Sequence, residues 1–366
     1  MITSTINIEA KGSIRVKGNA KGFDPSTGSR IVYQGNDVCF WFSRNKNLDH
    51  MFVGNEIDHL WITGSEDTNS SCIRISDIGG SHVHDLIVDN FIHGAVVHLY
   101  NNLGWTEGSV IERIMARNTY SVVSASKSKN STATDSMFRT TIRDVASSPS
   151  PTGTLVDIDG VNMYSSFLDG CVWFEVGGGH RGLFVHNGGY FSGQIYLYPD
   201  GFDSTPEGND NNYVYVADNS SSVNAEGIIN AGAGGKNTKF IKLLKAESQW
   251  PPTDYYEPRV RVKGATLTVR GNFTKSVAEQ IYNSGPLPIF SRFKISINFN
   301  YDNIRQGGAI FIAHVHSTAA DLSLTKISSL NFYDDLAVTP SQNSFYIQYN
   351  GSVPADGCWV IEIEML

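Results

Sequence analysis

Two short runs of the sequence place carboxylates between apolar residues. Asp157 and Asp159 lie in the run VDID, and Glu175 lies in the run WFEV. Apolar residues at every second position are typical of a strand with one buried face, so the carboxylates are expected on the solvent face. Hydrolysis of a glycosidic bond needs one carboxyl group that donates a proton and a second that acts as base or nucleophile. We therefore expect Glu175, together with Asp157 or Asp159, to form such a pair across adjacent strands.

Aromatic and imidazole side chains alternate with apolar residues in the same way and are expected on the same face. Aromatic rings suit the apolar faces of sugars, and tyrosine hydroxyls add hydrogen bonds. The candidate substrate-binding residues are His98, Tyr100, Trp173, Tyr196 and Tyr198. Together with the three acids they are predicted to form one stripe.

Other interpretations of these residues stay open at this level. Outward acids on a solvated sheet are ordinary, so the stripe could bind sugar without cleaving it. A lyase would instead use His98, a tyrosine or an arginine as base and charge stabiliser. Asp89, Asp144 and Asp169 follow strands where the chain turns, and Asp is common there because it bonds the backbone. No His/Asp spacing makes a convincing metal site and the four cysteines form no CxxC pair, so neither metal nor cofactor is expected.

The strand-like segments that would position the stripe recur at roughly regular intervals along the sequence. One set of apolar segments is centred on Ile62, Val88, Met115, Arg143, Leu168 and Val185, at steps of 17 to 28 residues. A second set begins at Cys72, Ala95, Ser121, Thr154, Val172 and Gln194. Because segments of the two sets alternate along the chain with similar spacing, they predict stacked coils, and hence a right-handed parallel β-helix. Its core is expected to contain Val88, Val156, Leu168, Phe174 and Leu197.

The organisation changes after residue 245. We predict an N-terminal lead-in over 1–30, the β-helix over 31–245, a proline-rich linker over 246–262 and an antiparallel, sandwich-like β-domain over 263–366. Polar lateral loops are expected at 124–136 and 199–212. Helical spacing is seen at Phe240, Leu243 and Leu244, and a short helix is expected at 277–282.

The amino-acid composition limits the kinds of partner that the protein is expected to bind. Lys and Arg number 28 against 36 Asp and Glu, a net charge of −8, which argues against a nucleic-acid ligand. Apolar runs are too short for a membrane span.

These features together resemble the tailspike proteins of tailed bacteriophages. Irregular coils with polar loops precede a linker containing Pro251, Pro252 and Pro258, and the chain closes on the apolar run WVIEI. The resemblance implies a homotrimer in the virion tail that binds a bacterial surface polysaccharide, capsule or O-antigen, and commonly cleaves it. A non-catalytic receptor-binding module is the alternative. Because no large attachment domain precedes the coils, the resemblance implies a tail adaptor protein or a fragment.

The polygalacturonases, another β-helix family, are matched less well. Their adjacent Asp pair occurs here only as Asp334-Asp335, in the C-terminal region, and their GHG motif has only a loose counterpart at Gly179-His180-Arg181-Gly182.

Overall fold

The computed structural model describes most of the chain. The described residues are 1–10, 13–19, 28–44, 54–65, 70–129, 133–173, 180–200, 212–218, 220–234, 239–243, 260–263, 266–273, 278–284, 287, 291–301, 305–316, 322–330, 336–341, 344–349 and 357–366. All the regular secondary structure in these ranges is β-strand. No helix long and apolar enough to cross a membrane is found in them.

Twenty-five strands are found in these described ranges. They are β1 (Ile6–Ala10), β2 (Arg15–Lys17), β3 (Arg30–Val32), β4 (Val38–Arg44), β5 (Glu56–Thr63), β6 (Ser71–Ser76), β7 (His82–Asp89), β8 (Ala95–Asn101), β9 (Val110–Lys127), β10 (Thr141–Asp159), β11 (Asn162–Trp173), β12 (Arg181–His186), β13 (Tyr190–Asp200), β14 (Asn212–Val216), β15 (Ser222–Gly234), β16 (Lys239–Leu243), β17 (Val260–Lys263), β18 (Thr266–Phe273), β19 (Glu279–Asn283), β20 (Arg292–Tyr301), β21 (Arg305–Val315), β22 (Leu322–Leu330), β23 (Leu336–Ser341), β24 (Ser344–Tyr349) and β25 (Gly357–Met365).

Two parallel ladders run through the N-terminal two thirds of the protein. The first ladder stacks β1, β4, β6, β8, the end of β9, the end of β10, β12, β14 and β16. The second ladder stacks β2 and β3, β5, β7, the start of β9, the start of β10, β11, β13, β15 and β17. The result is a β-helix of stacked parallel turns.

The core is a set of inward columns, each built from equivalent positions of successive coils. One column of the first ladder consists of Phe40, Ile73, Val97, Val123, Val156, Leu183 and Val214. None of them is more than 4% exposed. Adjacent strands lie about 4.8 Å apart, so these apolar side chains contact one another continuously along the axis and exclude water from it.

The second ladder carries a recurrent bend. His59, Asp85, Arg113 and Asp144 occupy equivalent positions in β5, β7, β9 and β10, and each has a positive φ between 50° and 55°. A residue in this left-handed region redirects the strand, as a bulge does. Four successive polar residues are thereby aligned on the outside of the coils.

Antiparallel pairing begins at β18, which pairs in parallel with β15 and antiparallel with β25. A five-stranded sheet follows in the order β18, β25, β20, β21, β22, and a three-stranded sheet in the order β19, β24, β23. Both sheets bury apolar side chains, such as Ile295 and Ile361 in one and Phe345 and Ile347 in the other.

The predicted fold class, all-β with a parallel β-helix followed by antiparallel sheets, is confirmed. Val88, Val156, Leu168 and Leu197 are at most 1% exposed, as predicted, whereas Phe174 lies outside the described residues. The proposed domain limits stay a prediction, although β1 and β2 already pair with the two ladders within the first 30 residues.

Three local predictions are wrong. The helical spacing near Phe240 falls in strand β16, and the helix expected at 277–282 is replaced from residue 279 by β19. The loop predicted at 124–136 starts later, because β9 continues to Lys127. In each case hydrogen bonding to a neighbouring strand determines the conformation. The two expected helices would be short, and isolated short helices are marginal in water.

Gly193 tests how closely adjacent coils approach. It has a φ of 138° and pairs with Ser166, and an added Cβ would lie 1.9 Å from the Ser166 carbonyl oxygen. Gly193→Ala should therefore destabilise the β-helix by at least about 1 to 3 kcal/mol, the usual cost of a strained backbone conformation. Gly54→Ala is the matched control, because its Cβ would meet only Ser13 Oγ at 3.7 Å. Equal denaturant midpoints for both variants would contradict the predicted close approach.

Candidate functional site

The candidate site lies on the outer face of the first ladder, which we call the first-ladder face. Two outward columns form it: Trp41, Arg74, His98, Ser124, Asp157, Phe184 and Tyr215 in one, and Ser43, Ser76, Tyr100, Ser126, Asp159 and His186 in the other. Val156 and Ile158 alternate with the two aspartates along β10 and are fully buried. Asp157 and Asp159 therefore lie on the opposite, outer face of the strand.

His186 lies between the two aspartates. Its Nε2 is 2.8 Å from Asp157 Oδ1, and its Nδ1 is 3.7 Å from Asp159 Oδ1. The Asn187 side-chain amide donates to Asp159 Oδ1 at 2.6 Å. The side chain of Asp157 is 9% exposed and that of Asp159 43% exposed. One imidazole therefore links a buried carboxylate to a carboxylate that substrate can reach.

The environment favours the charged form of His186. Burial is the largest influence and lowers its pKa, but the hydrogen bond to Asp157 and the charges of Asp157, Asp159 and Asp218 outweigh it, so the pKa is raised. Such a group holds a proton nearer neutral pH than an isolated imidazole and can donate it.

Aromatic rings flank this cluster. The Phe184 ring stacks on His186 with centroids 4.4 Å apart and planes 16° from parallel. The Arg181 guanidinium lies 4.2 Å from the Phe184 centroid and 5.0 Å from that of Tyr215. Tyr120 hydrogen-bonds Asp157, and burial together with the Asp157 charge raises the pKa of its phenol.

His98 and Tyr100 lie farther along the same face, as predicted. Their rings are 5.3 Å apart, and His98 Nε2 contacts Ser126 Oγ at 2.7 Å. Arg74 lies 5.5 Å from the Tyr100 ring. Burial, followed by the Arg74 charge, lowers the pKa of His98 to about 3, so this imidazole is neutral.

The prediction that all eight residues form one stripe is wrong. Trp173, Tyr196 and Tyr198 belong to strands of the second ladder, where they pair with Asp200, Asp169 and Cys171 respectively. The side chains of Trp173 and Tyr198, and all of Glu175, lie outside the described residues. The strand next to Asp157 in the following coil is β12, which places Phe184 opposite it. The argument that set Glu175 beside Asp157 therefore no longer holds.

The misalignment has a physical cause. The runs at 172–176 and 194–198 alternate like first-ladder strands, but β11 and β13 run through 173 and 200 in the second ladder. A warning was present in the sequence, because the 17-residue step from Leu168 to Val185 is too short for a whole coil of this helix. Moving the segment around Val185 to the other set would have placed His186 beside Asp159.

A cavity of about 460 Å³ lies on the outside of the second ladder. His59, Asp85, Arg113 and Asp144, the four bend residues, line it together with apolar side chains such as Leu86 and Met115. The ion pair with Arg113 lowers the pKa of Asp85 below its ordinary range. Burial, then the charge of Asp144, raises the pKa of Asp169. Sequence reasoning had assigned Asp144 and Asp169 to turns only.

The titration of His186 can be measured directly. We expect its pKa in the folded protein to exceed about 6.5, the ordinary value for histidine, and Asp157→Asn to lower it. A raised folded pKa adds stability below the unfolded value, and this stability is lost as pH rises through the folded value. NMR titration of the imidazole protons gives the pKa. Identical values in the parent and the Asn variant would contradict the proposed pairing.

Neither a protein family nor a curated protein matches the sequence. Among solved structures, the chain is similar to WceF of Pantoea stewartii, a glycan biofilm modifying enzyme with a bacteriophage tailspike-like parallel β-helix fold (TM-score 0.32, 12% identity, 98% of this chain and 55% of that chain). It is also similar to the tailspike gp49 of Acinetobacter baumannii phage Fri1, a capsular polysaccharide depolymerase (TM-score 0.21, 7% identity, 100% and 78% covered).

A third similar structure is the Gp54 tailspike of Acinetobacter baumannii phage AP22, in complex with A. baumannii capsular saccharide (TM-score 0.29, 8% identity, 92% and 68% covered). The chain spans only 55% of the length of WceF. With TM-scores this low, the function of the chain has to be argued from its own residues.

Proposed function

We propose that this protein is a tailspike-like β-helix that binds a bacterial surface polysaccharide on the first-ladder face and hydrolyses its glycosidic bonds there. The observation that carries the proposal is the Asp157–His186–Asp159 cluster, where one imidazole touches two carboxylates on a face lined with aromatic rings. The class of polymer is part of the proposal and is the one that the resemblance of the sequence to tailspike proteins implies.

The cluster contains the groups that hydrolysis requires. Protonated His186 can deliver its proton to the leaving oxygen, while Asp159, the more exposed carboxylate, takes a proton from water that attacks the anomeric carbon. Asp157 acts as a positioning residue, because it accepts the hydrogen bond from Nε2 and keeps the other ring nitrogen on the side of Asp159. The reaction consumes one water molecule and leaves a hydroxyl group on each of the two new sugar ends.

Binding would use the rings along the two columns. Trp41, Tyr100, Phe184 and Tyr215 project from four coils of one face, and the last two come from adjacent coils, so a linear polymer lying along the axis could stack on several of them. Arg74 and Arg181 on the same face suit acidic sugars. The proposal includes a homotrimer in a virion tail, attached through a tail adaptor protein.

A screen against purified capsule and O-antigen from a panel of strains tests this function. The expected result is one polymer that binds, shortens on a sizing column and gains reducing ends. Products absorbing in the ultraviolet would show a lyase instead, with an unsaturated sugar. Binding without shortening would support a receptor-binding module and refute hydrolysis.

A further inference from the structure

A second cluster of polar side chains lies at the start of the second ladder, outside the site proposed for hydrolysis. Glu56 pairs directly with His82 in the next coil, and His84 is two residues farther along the same strand. Glu56, His82 and His84 each offer a ligand atom, and these atoms all lie within 4.8 Å of one another. The two imidazole rings are 4.0 Å apart, centroid to centroid.

His84 contacts a carboxylate at each ring nitrogen. Its Nδ1 is 2.6 Å from Asp85 Oδ2, and its Nε2 is 2.8 Å from Glu56 Oε1. A neutral imidazole has one N–H, so one of these contacts sets a nitrogen lone pair against a carboxylate oxygen. Arg113 also approaches Nδ1, at 3.2 Å, but Asp85 is nearer. The conflict disappears if a cation or a second proton occupies the Nε2 side.

The hydrogen bond from Nδ1 to Asp85 is the arrangement that orients a metal-binding histidine. In metal sites the ligating imidazole usually donates its other N–H to a carboxylate, which fixes the tautomer and strengthens the ligand. His84 is only 6% exposed, so its orientation is held by the surrounding coils. His82 has a comparable neighbour, because its Nε2 is 3.1 Å from Glu112 Oε1.

Two buried polar groups lie beside the cluster. Asn55 and Ser81 are each 2% exposed, and with Glu56 and His82 they line a narrow crevice. Asn55 Nδ2 and Ser81 Oγ have no hydrogen-bond partner among the residues described. Unpaired buried polar groups are costly and need an explanation, which a polar ligand at the adjacent cluster would supply.

The charge around the cluster also admits a cation. Carboxylates at Glu56, Asp58, Asp85 and Glu112 outnumber the guanidinium groups that pair with them, those of Arg15, Arg113 and Arg143. The balance is one negative charge when the histidines are neutral.

We infer that Glu56, His82 and His84 bind a divalent transition-metal ion of the zinc type. Two imidazole nitrogens and one carboxylate are the ligands that Zn²⁺ accepts, whereas Mg²⁺ and Ca²⁺ prefer oxygen alone. The ion ties two successive coils together beside the cavity of the second ladder. The inference is independent of the proposed hydrolysis, which uses none of these residues.

Calorimetric titration of the full chain, first treated with a chelator, tests the inference. At pH 7 we expect one Zn²⁺ per chain and no competition from millimolar Mg²⁺. His84→Gln and Glu56→Gln should each reduce the affinity at least about tenfold. His93→Gln, at an exposed turn position, is the matched control and should bind as the parent does.

Folding of each variant is checked by circular dichroism, and Co²⁺ provides a second readout. Bound Co²⁺ should give visible absorption bands that the His84 variant lacks. The inference is overturned if the parent binds no stoichiometric Zn²⁺. It is equally overturned if the His84 and Glu56 variants bind it as tightly as the parent, or if ¹⁵N NMR shows His84 doubly protonated and unmoved by Zn²⁺.

Discussion

Asp159→Asn is expected to slow polysaccharide cleavage at least about a hundredfold, equivalent to about 2.7 kcal/mol of lost transition-state stabilisation. The amide keeps the size of the side chain and the contact with Asn187 but cannot accept a proton from water. Because the side chain is 43% exposed, the fold should be unaffected. Initial rates of reducing-end release, with binding measured separately, give the effect.

A second variant and a control separate chemistry from structure. Asp157→Asn removes the charge that helps to raise the pKa of His186, so the high-pH limb of the activity profile should move to lower pH. Glu362→Gln is the control, since this carboxylate is exposed on β25 of the C-terminal sheet and is not part of the first-ladder face. If Asp159→Asn cleaves at the parent rate, the cluster is a binding surface at most.

Deleting residues 357–366 should unfold the C-terminal sheet. This segment contains β25, which pairs with β18 on one side and β20 on the other, so its loss leaves two strands without their shared neighbour. Trp359, Ile361, Ile363 and Met365 are each at most 3% exposed. Burying four such side chains contributes roughly 6 to 12 kcal/mol, which is comparable to the whole stability of a domain.

Hydrogen exchange and sedimentation velocity measure the consequence. β20 and β21 should lose protection while the coils around β7 and β9 keep theirs, because each coil is stabilised by its neighbours along the axis. The proposed trimer should dissociate, since we predict that the C-terminal region holds it together. Removing Leu366 alone, which is 47% exposed, is the control. Full protection of β20 in the deletion variant would contradict the central role of β25.

The fold could be predicted because every coil needs apolar residues at the same inward positions. Every strand of the first ladder needs inward apolar residues two apart, and Ile73, Val97, Val123 and Val156 show this in the sequence. The correct assignment was lost at β11 and β13, which continue through residues 173 and 200 in the second ladder, because alternation alone does not mark which ladder a strand belongs to. The bend at Arg113 could not be predicted either, since arginine does not favour a positive φ.

The site was predictable only in part for the same reason. Asp157 and Asp159 were identified because they share a strand. Their partner His186 is 27 to 29 residues away, and only the pairing of β12 with β10 brings it beside them. The cluster at Glu56, His82 and His84 joins two coils in the same way. Contacts across coils depend on register to the residue, and composition and periodicity set it only to within a few positions.

The crystal structure of the Asp159→Asn variant with an oligosaccharide of the polymer that the screen identifies would test the central claim most directly. We predict sugar rings along the first-ladder face, against Phe184 and Tyr215, with a glycosidic oxygen within hydrogen-bond distance of His186. Sugar bound in the second-ladder cavity beside Arg113, with the first-ladder face empty, would contradict the account.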